Sequence, residues 1–182
     1  RRRSDELLLN ILPQEVAEEL KGNSENRVQT RTYERSSVLF LDIVGFTRSA
    51  EKMQASEVVS ELDRIFAAFD RIVEKHNIEK IKTIGDAYMA AGGLPSPNKT
   101  NPVDTVMAAL DMVKYMKESE ADMARRGFEP WQLRAGVHTG PVVAGIVGTK
   151  KFAYDIWGDT VNTASRMETN SEPGRVNISG TT

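Results

Sequence analysis

Ten residues, Val38-Leu39-Phe40-Leu41-Asp42-Ile43-Val44-Gly45-Phe46-Thr47, constrain this chain more than any other stretch. Residues 38–41 form an unbroken apolar run that reads as a β-strand, and an ionised carboxylate at the end of such a run costs several kcal/mol unless something compensates for it. Asp42 therefore needs a partner. Gly45 and then Thr47 break the run into a tight turn, whose backbone N–H groups can face an anion before a helix begins. Two readings fit this stretch. A carboxylate beside an amide-lined turn can hold a metal together with phosphates. Alternatively, Asp42 caps the following helix or guards a strand end against aggregation.

The length of 182 residues allows one domain with a real core plus a short appendage, and is short for two domains. With 24 Lys and Arg against 26 Asp and Glu, net charge favours neither a nucleic-acid partner nor a membrane surface, so any phosphate binding must be local. There is no cysteine, which excludes disulfides, thiolate metal sites and cysteine nucleophiles, and which fits a reducing compartment. His76 and His138 are too few for a histidine-rich zinc site. No apolar run approaches the ~20 residues needed to cross a bilayer, and Arg1-Arg2-Arg3 is not followed by a signal-peptide core, so a soluble piece is expected.

Ser4-Asp5-Glu6 is a plausible cap for the opening helical segment, which Pro13 should split into two short helices, the second running from Pro13 to Gly22. Leu8, Leu12, Val16 and Leu20 recur every four residues, which suits packing on a partner helix, with folding back onto the chain's own core as the alternative. Residues 22–35 are polar and read as a linker, favouring a coupling or dimerising role for residues 1–32 ahead of a catalytic domain over 33–182. Residues 56–76 show helical spacing, with Ser56 as cap. Residues 78–84 and 87–91 flank Gly85-Asp86, the pattern of a hairpin with Asp86 in its turn.

A Pro- and Gly-containing loop at 92–102 leads to a helix over 103–125, ended by Gly127. Two strands, 133–139 and 142–148, are expected to join through Gly140-Pro141. A strand-like segment then runs into a helix capped by Asp159, and a short strand closes the chain at 176–179. This order predicts an α+β fold close to ferredoxin-like, with helices against a mainly antiparallel sheet. Asn162 and Arg166 lie four apart on one helix face, where an amide and a guanidinium near a positive helix end suit a phosphate; an ordinary exposed helix face is the bland alternative.

Taken together, residues 40–47, 80–90, 133–148 and 152–167 resemble the class III nucleotidyl cyclases, the adenylate and guanylate cyclases, and the likeness covers nearly all of 33–182. The resemblance implies a nucleotidyl cyclase fold and a head-to-tail homodimer with active sites at its interface. It implies two divalent cations, Mg²⁺ or Mn²⁺, held by Asp42, Asp86 and the Ile43 carbonyl, with Gly45, Phe46 and Thr47 cradling the triphosphate. Asn162 then orients the ribose, Arg166 stabilises charge on the α-phosphate, and Arg134 lies near the terminal phosphates. Lys82 and Asp155 match the family's purine-selecting pair. A Lys donor and an Asp acceptor suit ATP, and the guanine pattern with a cysteine is excluded here.

An adenylate cyclase domain producing 3′,5′-cyclic AMP and pyrophosphate is therefore expected. The alternatives are a guanylate cyclase or mixed ATP and GTP use, and a non-catalytic nucleotide-binding or dimerisation module. The resemblance further implies a cytoplasmic domain, coupled through its N-terminal helix to an upstream regulatory domain, with membrane or sensor attachment left open. Family members continue beyond the last strand into a helix and a hairpin, whereas this chain stops at Thr182, which implies a domain cut short at its C-terminal end.

Overall fold

A computed structural model describes residues 2–22, 30–148 and 150–182. Pro13 separates α1 (Arg2–Leu9) from α2 (Gln14–Gly22), as its missing N–H and fixed ring dictate. Leu12, Val16, Ala17 and Leu20 are buried against Tyr33, Val38, Met89 and Ile156, so this apolar stripe covers the domain's own sheet rather than a partner helix. Leu7, Leu9 and Ile11 remain exposed. The expected polar linker is corrected in part: Arg31 to Arg35 already belong to a strand, and residues 23–29 lie outside the described residues.

That strand, β1 (Arg31–Val44), is the centre of the sheet and leads through the short α3 (Phe46–Ala50) to α4 (Ala55–Lys75). The α4 cap is Gln54 rather than Ser56, because Gln54 and Glu57 close a reciprocal capping box in which Glu57 accepts the Gln54 N–H at 3.0 Å. The hairpin is present as β2 (Glu79–Ile84) and β3 (Ala87–Gly92), with Gly85 at a positive φ of 57° in its turn. α5 (Asn101–Arg125) starts two residues earlier than its spacing suggests, with Pro102 accommodated in the first turn, where no intrahelical N–H is needed.

The two strands expected at 133–139 and 142–148 are one strand, β4 (Gln132–Val147). Gly140-Pro141 makes no hairpin, because β1 shifts register between Tyr33 and Ser36 and stays paired to both sides of the proline. β5 (Ala153–Trp157), α6 (Asp159–Thr169) and β6 (Arg175–Ile178) complete the chain. The α6 cap is Gly158, at φ 134°, and Asp159 is the first helical residue instead of the cap.

The strand order is β2-β3-β1-β4-β5, with β6 parallel to β4 along Arg134–Val137 and every other pairing antiparallel. Alternation along β1 sends Leu39, Leu41 and Ile43 into a core shared with Ile65 and Phe69 of α4 and Met112 and Met116 of α5. Each such side chain contributes roughly 1.5–3 kcal/mol by leaving water. Val38 points the other way, into the cluster under α2. Lys82 on β2 and Asp155 on β5 nevertheless form an ion pair, so the sheet coils until strands from opposite ends of its order meet.

Candidate active site

Asp42 lies between Leu41 and Ile43, both core residues, so strand alternation turns its carboxylate to the opposite face. The β1–β4 register sets Asp42 directly across from Arg134. Arg134 grips both carboxylate oxygens: Nη2 donates to Oδ2 at 3.0 Å, and Nε to Oδ1 at 3.3 Å. The same guanidinium donates to Glu168 Oε1 at 3.1 Å and to the Thr169 carbonyl at 3.1 Å. This answers the question of what compensates Asp42. In the ligand-free chain Arg134 therefore rests on a pair of carboxylates, Asp42 and Glu168.

Glu168 is the site residue that sequence reading missed. It is a buried acid, 7% exposed, and burial together with the neighbouring Asp42 raises its carboxyl above the ordinary range. Its only signal in the sequence is an acid two residues beyond Arg166, and nothing local says that this helix face is buried. α6 approaches β4 so closely because residue 136 is glycine: a Cβ there would lie 2.0 Å from the Glu168 nitrogen.

Asp86 comes to the same region from the hairpin turn, where its Oδ2 accepts the Ile43 N–H at 3.2 Å. Burial raises its carboxyl above the ordinary value, and the Asp42 charge adds to the rise, against the pull of the Ile43 hydrogen bond. Gly45 takes a left-handed φ of 66° to start α3, so the first-turn N–H groups of Phe46 and Thr47 point outward from a short helix. The Phe46 ring itself packs edge-on against Trp131 at 5.4 Å, leaving its backbone as the part available to a ligand.

Among the described residues no cluster of three or more His, Cys, Asp or Glu is poised around a metal position. Two aspartates and a backbone carbonyl still fit Mg²⁺ or Mn²⁺, hard ions that take one or two carboxylates and complete their shell with water and substrate phosphates. The donor set at Asp42, Ile43 and Asp86 is all oxygen, and among the described residues no cluster of softer ligands competes.

A second, open cleft is lined by Lys82, Asp155, Trp157, Val161 and Asn162. Lys82 Nζ donates to Asp155 Oδ2 at 2.8 Å, while Asp155 Oδ1 accepts the Ile156 N–H, which fixes the carboxylate's orientation. Asn162 and Arg166 share one face of α6, with the Arg166 side chain largely in solvent. The structure thus brings Lys82, Asp155 and Asn162 together, and separately gathers Asp42, Ile43, Asp86 and Arg134. None of the second group lines the cleft.

Residues 28–182 match the family model described as the adenylate and guanylate cyclase catalytic domain. An adenylate cyclase of Mycobacterium tuberculosis is 43% identical over 97% of this chain, and human guanylyl cyclase C is 42% identical over all of it. The chain spans 39% and 17% of the length of those two relatives. Among solved structures, the adenylyl cyclase CyaB from P. aeruginosa superposes with a TM-score of 0.80 at 30% identity, over 84% of this chain and 80% of that one. The catalytic core of a rhodopsin-guanylyl cyclase with converted specificity, in complex with ATPαS, superposes at 0.78 with 32% identity, over 85% and 82%. With the family model, relatives of both specificities and the fold in agreement, the chain belongs to the class III adenylate and guanylate cyclases and is a nucleotide cyclase catalytic domain.

Proposed function

We propose that this domain converts ATP to 3′,5′-cyclic AMP and pyrophosphate. The observation that carries the reading is the Lys82–Asp155 pair beside Asn162 in the open cleft. Adenine presents an acceptor at N1 and a donor at N6, which a lysine and a carboxylate match one to one. Guanine, with an acceptor at O6 and donors at N1 and N2, does not match that pattern. In the ligand-free chain the two side chains satisfy each other, and the purine edge takes over those bonds.

Asp42, Asp86 and the Ile43 carbonyl would hold two divalent cations, which supply the positive charge that acidifies the ribose 3′-hydroxyl and neutralises the departing pyrophosphate. The Gly45, Phe46 and Thr47 backbone cradles the triphosphate, and Arg134 steadies its terminal phosphates. Asn162 orients the ribose, and Arg166 faces the charge that develops on the α-phosphate. The metal group and the base-reading group sit apart on one chain, which supports a two-fold homodimer in which each site takes Asp42 and Asp86 from one chain and Lys82, Asp155, Asn162 and Arg166 from the other. Residues 1–32 serve as the coupling segment to a regulatory domain: α2 is fastened to the catalytic core, while Leu7 and Leu9 of α1 and Ile11 in the turn after it stay exposed for a partner.

The near-equal identity to human guanylyl cyclase C favours a second reading, in which GTP is also used. The deciding experiment measures cyclic-nucleotide and pyrophosphate formation from ATP and from GTP, each with Mg²⁺ and with Mn²⁺. Cyclic AMP as the dominant product supports the proposal. Preferential cyclic GMP formation overturns it, and a folded chain that binds nucleotide without turning it over leaves only the binding module.

A further inference from the structure

We propose that Glu168 is a positioning residue of this site: it holds Arg134 in place when a divalent cation takes Asp42, so that Asp42 can exchange its arginine for metal. The proposal rests on the metal assignment made above.

The geometry is specific. Arg134 occupies both oxygens of Asp42, and a cation needs the same lone pairs. Guanidinium and metal therefore compete for one carboxylate. If Asp42 were the sole anion within reach, the cation would have to strand a guanidinium whose side chain is only 28% exposed, a strongly unfavourable state. Glu168 removes that obstacle. Its Oε1 already accepts the Arg134 Nε–H at 3.1 Å, and the Thr169 carbonyl accepts from Nη1 at the same distance, so two bonds persist after Asp42 lets go.

The need is mutual. The Glu168 side chain is 9% exposed, and among the described residues its one ion pair is with Arg134. α6 delivers it to this position because Gly136 permits backbone contact between helix and strand, and the Asn177 side-chain amide ties the Met167 carbonyl to β6 at 2.9 Å. Without nucleotide, a neutral residue at 168 would leave Arg134 with Asp42 as its only anion among the described residues. Arg134 would then hold Asp42 more tightly, and the metal would bind more weakly.

The test is a Mn²⁺ titration of the full chain without nucleotide, following the free-ion signal by electron paramagnetic resonance. Glu168→Gln should weaken Mn²⁺ roughly tenfold, the scale of one buried charge-assisted hydrogen bond, while kcat at saturating Mn²⁺ stays within about threefold. Glu168→Asp, which keeps the charge, should stay within about threefold of the parent affinity. In an Arg134→Gln background, Glu168→Gln should have no further effect, since the competitor is gone. Unchanged Mn²⁺ affinity in Glu168→Gln overturns the proposal. So does an equal loss in the Arg134→Gln background, which would show a simple long-range charge effect. If circular dichroism shows that Glu168→Gln does not fold, Glu168→Asp decides, and a tenfold loss there overturns the proposal. A parent chain that binds no Mn²⁺ at all refutes the metal assignment itself, before Glu168 is in question.

Discussion

Gly136→Ala tests how α6 is held against the sheet. The added Cβ would lie 2.0 Å from the Glu168 nitrogen, 2.5 Å from the Met167 carbonyl carbon and 2.6 Å from the Glu168 Cα. All three are backbone atoms of α6, so no side chain can rotate out of the way. Ordinary van der Waals contact begins at 3.4 Å, so helix and strand must separate by roughly 1.4 Å. Overpacking of this kind costs about 1–3 kcal/mol, which for a domain of this size lowers Tm by roughly 3–10 °C. The same movement carries Asn162, Arg166 and Glu168 away from β4, and a misplacement of about 1 Å lowers turnover on the order of 10²-fold. Gly140→Ala is the control: its Cβ would meet Thr160 Oγ1 at 2.5 Å, a hydroxyl that can change rotamer, so about 1 kcal/mol or less is expected. Thermal melts and initial rates on both variants decide the matter. If Gly136→Ala melts and turns over like the parent, or if Gly140→Ala is the worse of the two, the close helix–strand approach does not hold the site.

Asp42→Ala and Asp86→Ala should each lower cyclic-nucleotide formation by orders of magnitude while the circular dichroism spectrum is retained, because each removes an anionic ligand for a hard cation. Near-parental rates in Mg²⁺ would sink the metal assignment. Co-expressing Asp42→Ala with Arg166→Ala should restore about a quarter of the parental activity, since about half the dimers are mixed and each mixed dimer has one intact site of two; no recovery in demonstrably mixed dimers refutes the shared site. Glu79 is a half-buried acid pushed up to about 7, first by desolvation and then by the Glu15 charge. Its folded-state value lies above the unfolded one, so its contribution to stability is complete below about pH 4.5 and is lost as pH rises through about 7. Discounted for residual solvent, that loss is on the order of 2 kcal/mol, and unfolding free energies from urea titrations at pH 5 and pH 8 should differ by that much less in Glu79→Gln; parallel pH dependence in both proteins would refute it.

Local chemistry made much of this molecule legible. Pro13 splits the N-terminal helices, and Gly85-Asp86 sits between two strands because period-two alternation flanks a turn dipeptide. The errors arise where a distant partner overrides a local signal. Gly140-Pro141 reads as a turn, yet the register shift in β1 absorbs the proline's missing N–H and one strand continues. Arg31 to Arg35 look like linker because much of their surface stays in water, while their backbone pairs with β4. Asp159 looks like a cap, but Gly158 adopts a backbone that other residues resist and takes that place. The proximity of Lys82 and Asp155 depends on how far the sheet coils, and the burial of Glu168 depends on a glycine thirty-odd residues earlier; neither has a local signature.

The charges gathered around Asp42 weigh against the stability of that end of the fold. Asp42, Asp86 and Glu168 are three carboxyls in a partly buried region where, among the described residues, Arg134 is the one guanidinium that touches two of them. Ionised together, they leave negative charge uncompensated in a medium that screens poorly, which raises the free energy of the empty fold. Replacing Asp42 by alanine relieves that repulsion and leaves Arg134 paired to Glu168, so the variant should be no less stable than the parent although inactive. On the proposed metal assignment, a divalent cation with its nucleotide would relieve the same repulsion without losing the carboxylate. Ligand binding then appears as added stability, about 2.7 kcal/mol at a hundredfold excess over Kd, and its absence in Asp42→Ala separates loss of the cation from loss of the fold.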